Sequence, residues 1–230
     1  SFCSGSGMRA IDPDTRVSDG SWAAALLAAG AGIDAAERLR RGEADAAFCA
    51  VRPPGHHATA SRAMGFCLLN NVAVTAGALA AGGDKVVIVD YDAHHGNGTQ
   101  DIFWSDPRVL YVSLHEWPLY PGSGRLDETG PAEAAGTTCN VPLPAGATGD
   151  VYLRAIDRVI EPAVEAWIYI YSGSVDRNTL IHSGDWLEAE AVSVDAGVSV
   201  RKAASESARS GSSRMVSSPA AAGPRCRRNS

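Results

Sequence analysis

Between positions 90 and 95 the chain carries Asp90, Asp92, His94 and His95, groups that bind cations or carry protons. The apolar run Val86 to Val89 precedes them, and the turn Gly96-Asn97-Gly98 follows. A short continuous apolar run reads as a buried parallel strand. Carboxylates and imidazoles at the C-terminal end of such a strand are what an α/β hydrolase uses to hold a divalent metal. Asp92 and His94 are two apart, so along extended chain they face the same side and suit two ligands of one Zn²⁺ or similar ion. Asp90 lies on that side one step back, and His95 points away. A catalytic zinc takes three protein ligands and an open position. The third ligand must come from another strand end: Asp176, after an expected strand Trp167 to Tyr171, or His115. His115 also reads as a hydrogen-bonded histidine behind the site.

A second pair, His56-His57, follows the rigid turn Arg52-Pro53-Pro54-Gly55. Hydrolysis at a metal needs a base for the water's proton and an acid for the leaving group. Adjacent imidazoles can divide these tasks if their partners differ, because a carboxylate favours the charged ring and a neutral partner leaves the other a base. Asp90 is the natural carboxylate partner and Asn97 a neutral one. Which histidine plays which part stays open. Phe66 beside Gly65, and Tyr120 in Leu119-Tyr120-Pro121-Gly122, place rings on glycine-flexed loops that could wall a narrow slot for an aliphatic chain.

These groups need a framework. Alanine-rich Trp22 to Arg41 predicts a buried helix capped by Asp19 or Ser21 and closed by Gly42. Asp45 to Val51 predicts a strand, Val72 to Ala81 a helix and Lys85 to Val89 a strand. A short helix is expected at Thr99 to Trp104, and strands at Arg108 to His115 and Gly136 to Pro142. A helix at Asp150 to Ala166 then precedes the strand at Trp167 to Tyr171. Alternating strands and helices imply a mostly parallel sheet covered on both faces. The 230 residues are 45% hydrophobic, enough for a sizeable core, and the net charge of −6 argues against a specific nucleic-acid footprint. No run is apolar and long enough to cross a membrane. Five scattered cysteines without a CxxC fit a reducing compartment, so the chain reads as cytoplasmic. It opens on Ser1, not Met, and an N-terminal portion is expected to be missing.

Together RPPGHHA, GFCLLNN, VDYDAHHGNGTQ and YVSLHEWPLYPGSG, in this order, resemble the zinc-dependent histone deacetylase family. The likeness is strongest to its class II-like branch and to bacterial acetylpolyamine amidohydrolases and acetoin-utilisation type deacetylases. It covers roughly Asp12 to Ala166. It implies an α/β fold of the arginase/deacetylase type, three layers around a central mostly parallel sheet. It implies removal of an acetyl group from an acetyl-lysine or acetylpolyamine-type amide. By motif position, Asp92 and His94 correspond to zinc ligands and His56 and His57 to the tandem catalytic histidines. Asp90 and Asn97 correspond to the histidines' partners. Phe66 and Tyr120 fall on the tunnel walls, and Gly65 on a backbone substrate contact. A monovalent cation, usually K⁺, corresponds to Asp90, Asp92, His94, Ser113 and Leu114.

The chain also departs from that pattern. The family's third zinc ligand lies in a segment like SAGFDAH; here SGSVDRN follows Tyr171, and an ungapped reading puts Asp176 on the ligand. Nothing after Asn178 contains the family's GGY, whose tyrosine polarises the scissile carbonyl; losing such a donor is worth on the order of 3 kcal/mol. The division expected is a partial catalytic domain at 1–177, with the sheet incomplete at its C-terminal end, and a disordered basic tail at 178–230. Residues 201–230 carry seven basic side chains and one acidic. A frameshift near Tyr171 would account for the change in character. The rival readings are a catalytically impaired remnant that acts at most as a binding module, and an arginase-like binuclear metallohydrolase.

Overall fold

The structure, a computed structural model, describes residues 7–171, 178–183 and 215–217. A small antiparallel pair, β1 (Arg9–Ala10) and β2 (Arg16–Val17), precedes the long helix α1 (Ser21–Arg40). Gly20, at φ 90°, occupies the N-cap without a side-chain bond, where Asp19 or Ser21 was expected. Ser21 Oγ instead accepts the Ser18 N–H. Beyond α1, Gly42 takes φ 68°, the left-handed conformation a glycine adopts at little cost just past a helix end.

β3 (Ala46–Phe48) is shorter than its apolar run because the Pro-Pro turn follows. α2 (Asn71–Ala81) starts where Asn70 Oδ1 accepts the Ala73 N–H at 3.0 Å. Then come β4 (Lys85–Asp90), α3 (Asn97–Phe103), β5 (Val109–Glu116), a 3₁₀ turn at Ala132–Ala134, and β6 (Thr138–Leu143). α4 (Gly149–Ala155) runs through a π turn (Ile156–Ile160) into α5 (Glu161–Tyr171). β7 (Asn178–Ser183) and β8 (Met215–Ser217) are the described parts of the 178–230 segment.

The main sheet has the order β6-β5-β4-β7, all parallel; β3 and β8 form a separate parallel pair. Alternation along β4 and β5 divides the core. Val86, Ile88, Val109 and Tyr111 face α2 and α3 with Ala76, Leu79 and Phe103. Val87, Leu110, Val112 and Leu114 face the α4–α5 side with Ile160, Val164 and Trp167. A sheet buried on both faces needs apolar residues at every position, and β5 is buried at all but its last. α1 packs outside α2.

The segment Trp167 to Tyr171 is helix, not the expected strand. Ile160, Val164 and Trp167 fall on one helical stripe against the sheet, and that period extends the helix through the aromatic run. A short apolar run of this kind does not by itself distinguish the two conformations.

Candidate active site

Asp90 stands opposite Ser113 in the register of β4 and β5, so both strands end on the same edge of the sheet. The chain leaves β4 at Asp90 and carries Asp92, His94 and His95 through the turn into α3. The first amides of α3 donate to the His56 carbonyl, Gly98 N–H at 2.9 Å and Thr99 N–H at 3.1 Å. The orphan donors of a helix N-terminus thus bind the two histidine-bearing segments together.

His56, His57 and Asp90 are all buried, Asp90 with 0% exposure. His56 Nδ1–H donates to Asp90 Oδ2 at 2.9 Å, and His57 Nδ1–H donates to Asn97 Oδ1 at 2.9 Å. Asn97 Nδ2 faces the His57 carbonyl and Met64 Sδ, which orients its amide with the oxygen toward the ring. The two imidazole centroids are 4.0 Å apart. Burial, and then the neighbouring His56, lower His57 to about 4. At neutral pH its ring is therefore neutral, with Nδ1–H committed to Asn97 and the lone pair on Nε2.

Tyr111, which the sequence reading overlooked, completes the carboxylate's shell. Its hydroxyl donates to Asp90 Oδ2 at 3.3 Å and to the Gly96 carbonyl at 3.1 Å. Burial, and then the Asp90 charge, push the phenol well above its ordinary range, so it remains a donor. The Asp92 N–H donates to Asp90 Oδ1 at 3.2 Å. No sequence pattern distinguishes Tyr111 from another core aromatic of β5. Tyr111→Phe is expected to cost about 1.5–3 kcal/mol, the range for a hydrogen bond to a charged group. Urea denaturation checks this; an unchanged midpoint would mean that Asp90 is satisfied without the phenol.

Asp92 Oδ1 accepts the His94 N–H at 2.8 Å and lies 3.1 Å from His94 Nδ1. Burial works to raise the Asp92 carboxyl, but His56 and the backbone and ring of His94 together hold it below the ordinary carboxylate range. Two donors at about 2.0–2.2 Å from one tetrahedral ion stand roughly 3.3–3.5 Å apart. The oxygen–nitrogen pair is the donor chemistry a divalent ion such as zinc takes, and its 3.1 Å separation, at hydrogen-bond length, is a few tenths of an ångström short of that spacing. Among the described residues, no group of three or more His, Cys, Asp or Glu side chains is arranged to hold a metal. Asp176 lies outside the described residues.

His115 does not serve as the third ligand. Its Nε2–H donates to the Gly124 carbonyl at 2.9 Å and its Nδ1 accepts from Ser113 Oγ at 2.9 Å, so both ring nitrogens are occupied. His95 also turns inward, toward Ser123 and Gln100, and burial followed by His115 lowers it to about 4. Ser113 and Leu114 are fully buried on β5.

Two of the slot residues, Gly65 and Tyr120, lie against His57. Gly65 has φ 56°, and a Cβ there would stand 2.5 Å from His57 Cδ2. Phe66 has φ 65°, an outlier for an aromatic residue, and its N–H donates to Oγ1 of buried Thr15 at 3.0 Å. The Phe66 side chain is 61% exposed and Tyr120 38%. The Tyr120 ring meets His57 edge-on at 5.0 Å.

The sequence matches the histone deacetylase domain over residues 2–216, nearly the whole chain. The chain belongs to the histone deacetylase family. Its relatives in the family include a probable deacetylase of Archaeoglobus fulgidus, 47% identical over 155 residues, covering 67% of this chain and 43% of that protein. Histone deacetylase 5 of Arabidopsis thaliana is 48% identical over 154 residues, 62% of this chain and 23% of that protein. The chain thus spans less than half the length of either. Among solved structures, the HDA15 HD domain superposes with a TM-score of 0.68 at 35% identity, covering 78% of this chain and 61% of that one. An acetylpolyamine aminohydrolase from Burkholderia pseudomallei superposes with a TM-score of 0.65 at 30% identity, covering 76% and 60%. The family's arginase/deacetylase architecture is therefore that of this chain. No described helix is long and apolar enough to cross a membrane.

Proposed function

We propose that this chain carries the catalytic centre of a zinc-dependent amidohydrolase that removes an acetyl group from an acetyl-lysine or acetylpolyamine-type amide. The observation that carries the reading is the unequal pairing of adjacent histidines, His56 on a buried carboxylate and His57 on a carboxamide, beside Asp92 and His94. Asp92 and His94 would hold the zinc, with Asp176 as the proposed third ligand. Bound there, zinc supplies Lewis acidity to water and to the amide carbonyl. His57, neutral and with Nε2 available, takes a proton from the attacking water. The C–N bond breaks, the water's oxygen stays with the acetyl group as acetate, and the departing amine takes up a proton from a histidine of the pair. His56 stays against Asp90, whose charge offsets positive charge on the ring. Phe66 and Tyr120 flank the aliphatic chain of the substrate, and Gly65 offers it backbone. Asp90, Asp92, His94, Ser113 and Leu114 would hold K⁺ as a structural ion.

The test is turnover of an acetyl-lysine peptide and an N-acetylated polyamine by zinc-loaded protein. Release of acetate supports the reading; stoichiometric zinc with no turnover of either substrate refutes the catalytic part. Asp92→Ala is expected to reduce bound zinc from about one per chain to a residual trace, measured by atomic absorption after dialysis. Retention of zinc by that variant would remove Asp92 from the site. Tyr120→Ala is expected to raise KM several-fold with kcat little changed, since a slot wall binds ground and transition states alike. Steady-state kinetics with the same substrates checks it, and a fall confined to kcat would deny the ring that role.

A further inference from the structure

A part-buried polar chain outside the catalytic pair, with His95 and Asn140 as its buried members, runs from Glu128 to the loop that carries Tyr120. Gln100 Nε2 donates to Glu128 Oε2 at 2.6 Å. A carboxylate accepts only, so Glu128 fixes which end of the Gln100 amide faces it. The amide oxygen then points the other way, where it accepts from Asn140 Nδ2 at 2.8 Å and lies 3.0 Å from His95 Nε2. That oxygen can only accept, so His95 carries its proton on Nε2. The neutral ring's Nδ1 must then be the acceptor, and Ser123 Oγ, 2.8 Å away, donates to it. Each polarity follows from the one before it, starting at a single carboxylate.

The next residue is held from the same side. The Gly124 N–H donates to Glu128 Oε2 at 3.3 Å, and the Gly124 carbonyl accepts from His115 Nε2 at 2.9 Å. Gly124 has φ 90°, and a Cβ there would stand 2.6 Å from both His115 Nε2 and His95 Cδ2. The backbone at Gly124 thus lies close against two imidazoles, tilted 55° to one another with centroids 4.8 Å apart. Tyr120 is three residues upstream on the same loop, its ring against His57.

We infer that His95 is a positioning residue, whose Glu128- and Gln100-imposed tautomer clamps Ser123 and thereby holds Tyr120 as a wall of the substrate slot. This rests on the deacetylase reading for its kinetic consequence, but the clamp itself is a property of the fold. A wall that binds the substrate's chain in ground and transition states alike affects KM more than kcat.

The experiment compares wild type, Ser123→Ala and Ser123→Thr, all zinc-loaded. On an acetyl-lysine peptide, Ser123→Ala is expected to raise KM about threefold, no more than Tyr120→Ala does, with kcat within about twofold, and Ser123→Thr, which keeps the hydroxyl, to stay near wild type. Equal kinetics for all three, or a loss confined to kcat, overturns the inference. Two readouts do not need turnover. Nitrogen-15 NMR of labelled histidine should show His95 as the Nε2–H tautomer, and amide exchange over residues 117–124 should quicken in Ser123→Ala and not in Ser123→Thr. An Nδ1–H tautomer or unchanged exchange overturns the clamp. If wild type binds zinc but turns over no acetyl amide while these two signatures hold, the functional reading fails and the clamp stands.

Discussion

Replacing His57 with alanine is expected to lower kcat for an acetyl-amide substrate by about 10²- to 10⁴-fold, the range for loss of a positioned acid–base group. The fold and bound zinc should be retained. The argument starts from the ring's environment. His57 is buried beside His56 and lowered to about 4, so it enters the reaction as a neutral base. Asn97 accepts its Nδ1–H at 2.9 Å, leaving the lone pair on Nε2. Alanine removes that base and leaves the Asp92–His94 pair, 3.1 Å apart, in place. Zinc content and thermal unfolding measured beside kcat separate a chemical loss from a structural one. A His57→Ala variant that keeps zinc and more than a tenth of wild-type kcat would remove His57 from the chemistry. Asn97→Asp extends the test. A carboxylate in place of the amide favours the imidazolium, so the base form is lost at higher pH, and the acidic limb of kcat/KM should move upward. A limb that moves downward would contradict the pairing.

The second large effect is on stability. Gly96→Ala is expected to destabilise the protein by roughly 3–5 kcal/mol, the scale of a broken buried charged network. Gly96 has φ −78°, which alanine adopts without strain, so only the surrounding space opposes it. An added Cβ would overlap Asp90 Oδ2, stand 2.6 Å from Tyr111 Oη and 3.1 Å from His56 Nδ1. Relieving it moves a fully buried carboxylate off two of its donors. Gly77→Ala is the matched control. It lies inside α2 with nothing within 4 Å of its Cβ, and is expected to gain about 0.5–1 kcal/mol from helix propensity. Urea titrations of the three proteins report both. A Gly96→Ala protein within about 1 kcal/mol of wild type would show that the Asp90 cluster adjusts freely and is not a rigid platform.

What could be read without coordinates was local. The apolar run before Asp90 marked β4, and the alanine-rich stretches marked α1 and α2, because strand and helix periods are properties of neighbouring residues. The spacing of Asp92 and His94 placed them on one side, and they do share a hydrogen bond. Chemical complementarity named Asp90 and Asn97 as the unlike partners of the histidine pair, the family resemblance implied which ring takes which, and the fold sets His56 on Asp90 and His57 on Asn97. Where period was ambiguous, local reading failed. Trp167 to Tyr171 is apolar enough for a buried strand, yet it continues the helix whose Ile160, Val164 and Trp167 pack with Val87, Leu110 and Val112.

By itself, then, the sequence determined the kinds of groups present, their order along the chain and the family to which they belong. The tertiary structure decided which of these groups touch. The parallel register of β4 and β5 sets Asp90 beside Ser113, and side-chain alternation along β5 brings the Tyr111 hydroxyl to that carboxylate. His115, near the end of the same strand, has both ring nitrogens taken by Gly124 and Ser113. Its neighbour His95 acquires its tautomer from a glutamate in a distant loop. The reason is physical: a hydrogen bond is won or lost over a few tenths of an ångström. Positions at that scale, for residues dozens apart in the chain, are set by strand register and close packing, which no local periodicity encodes.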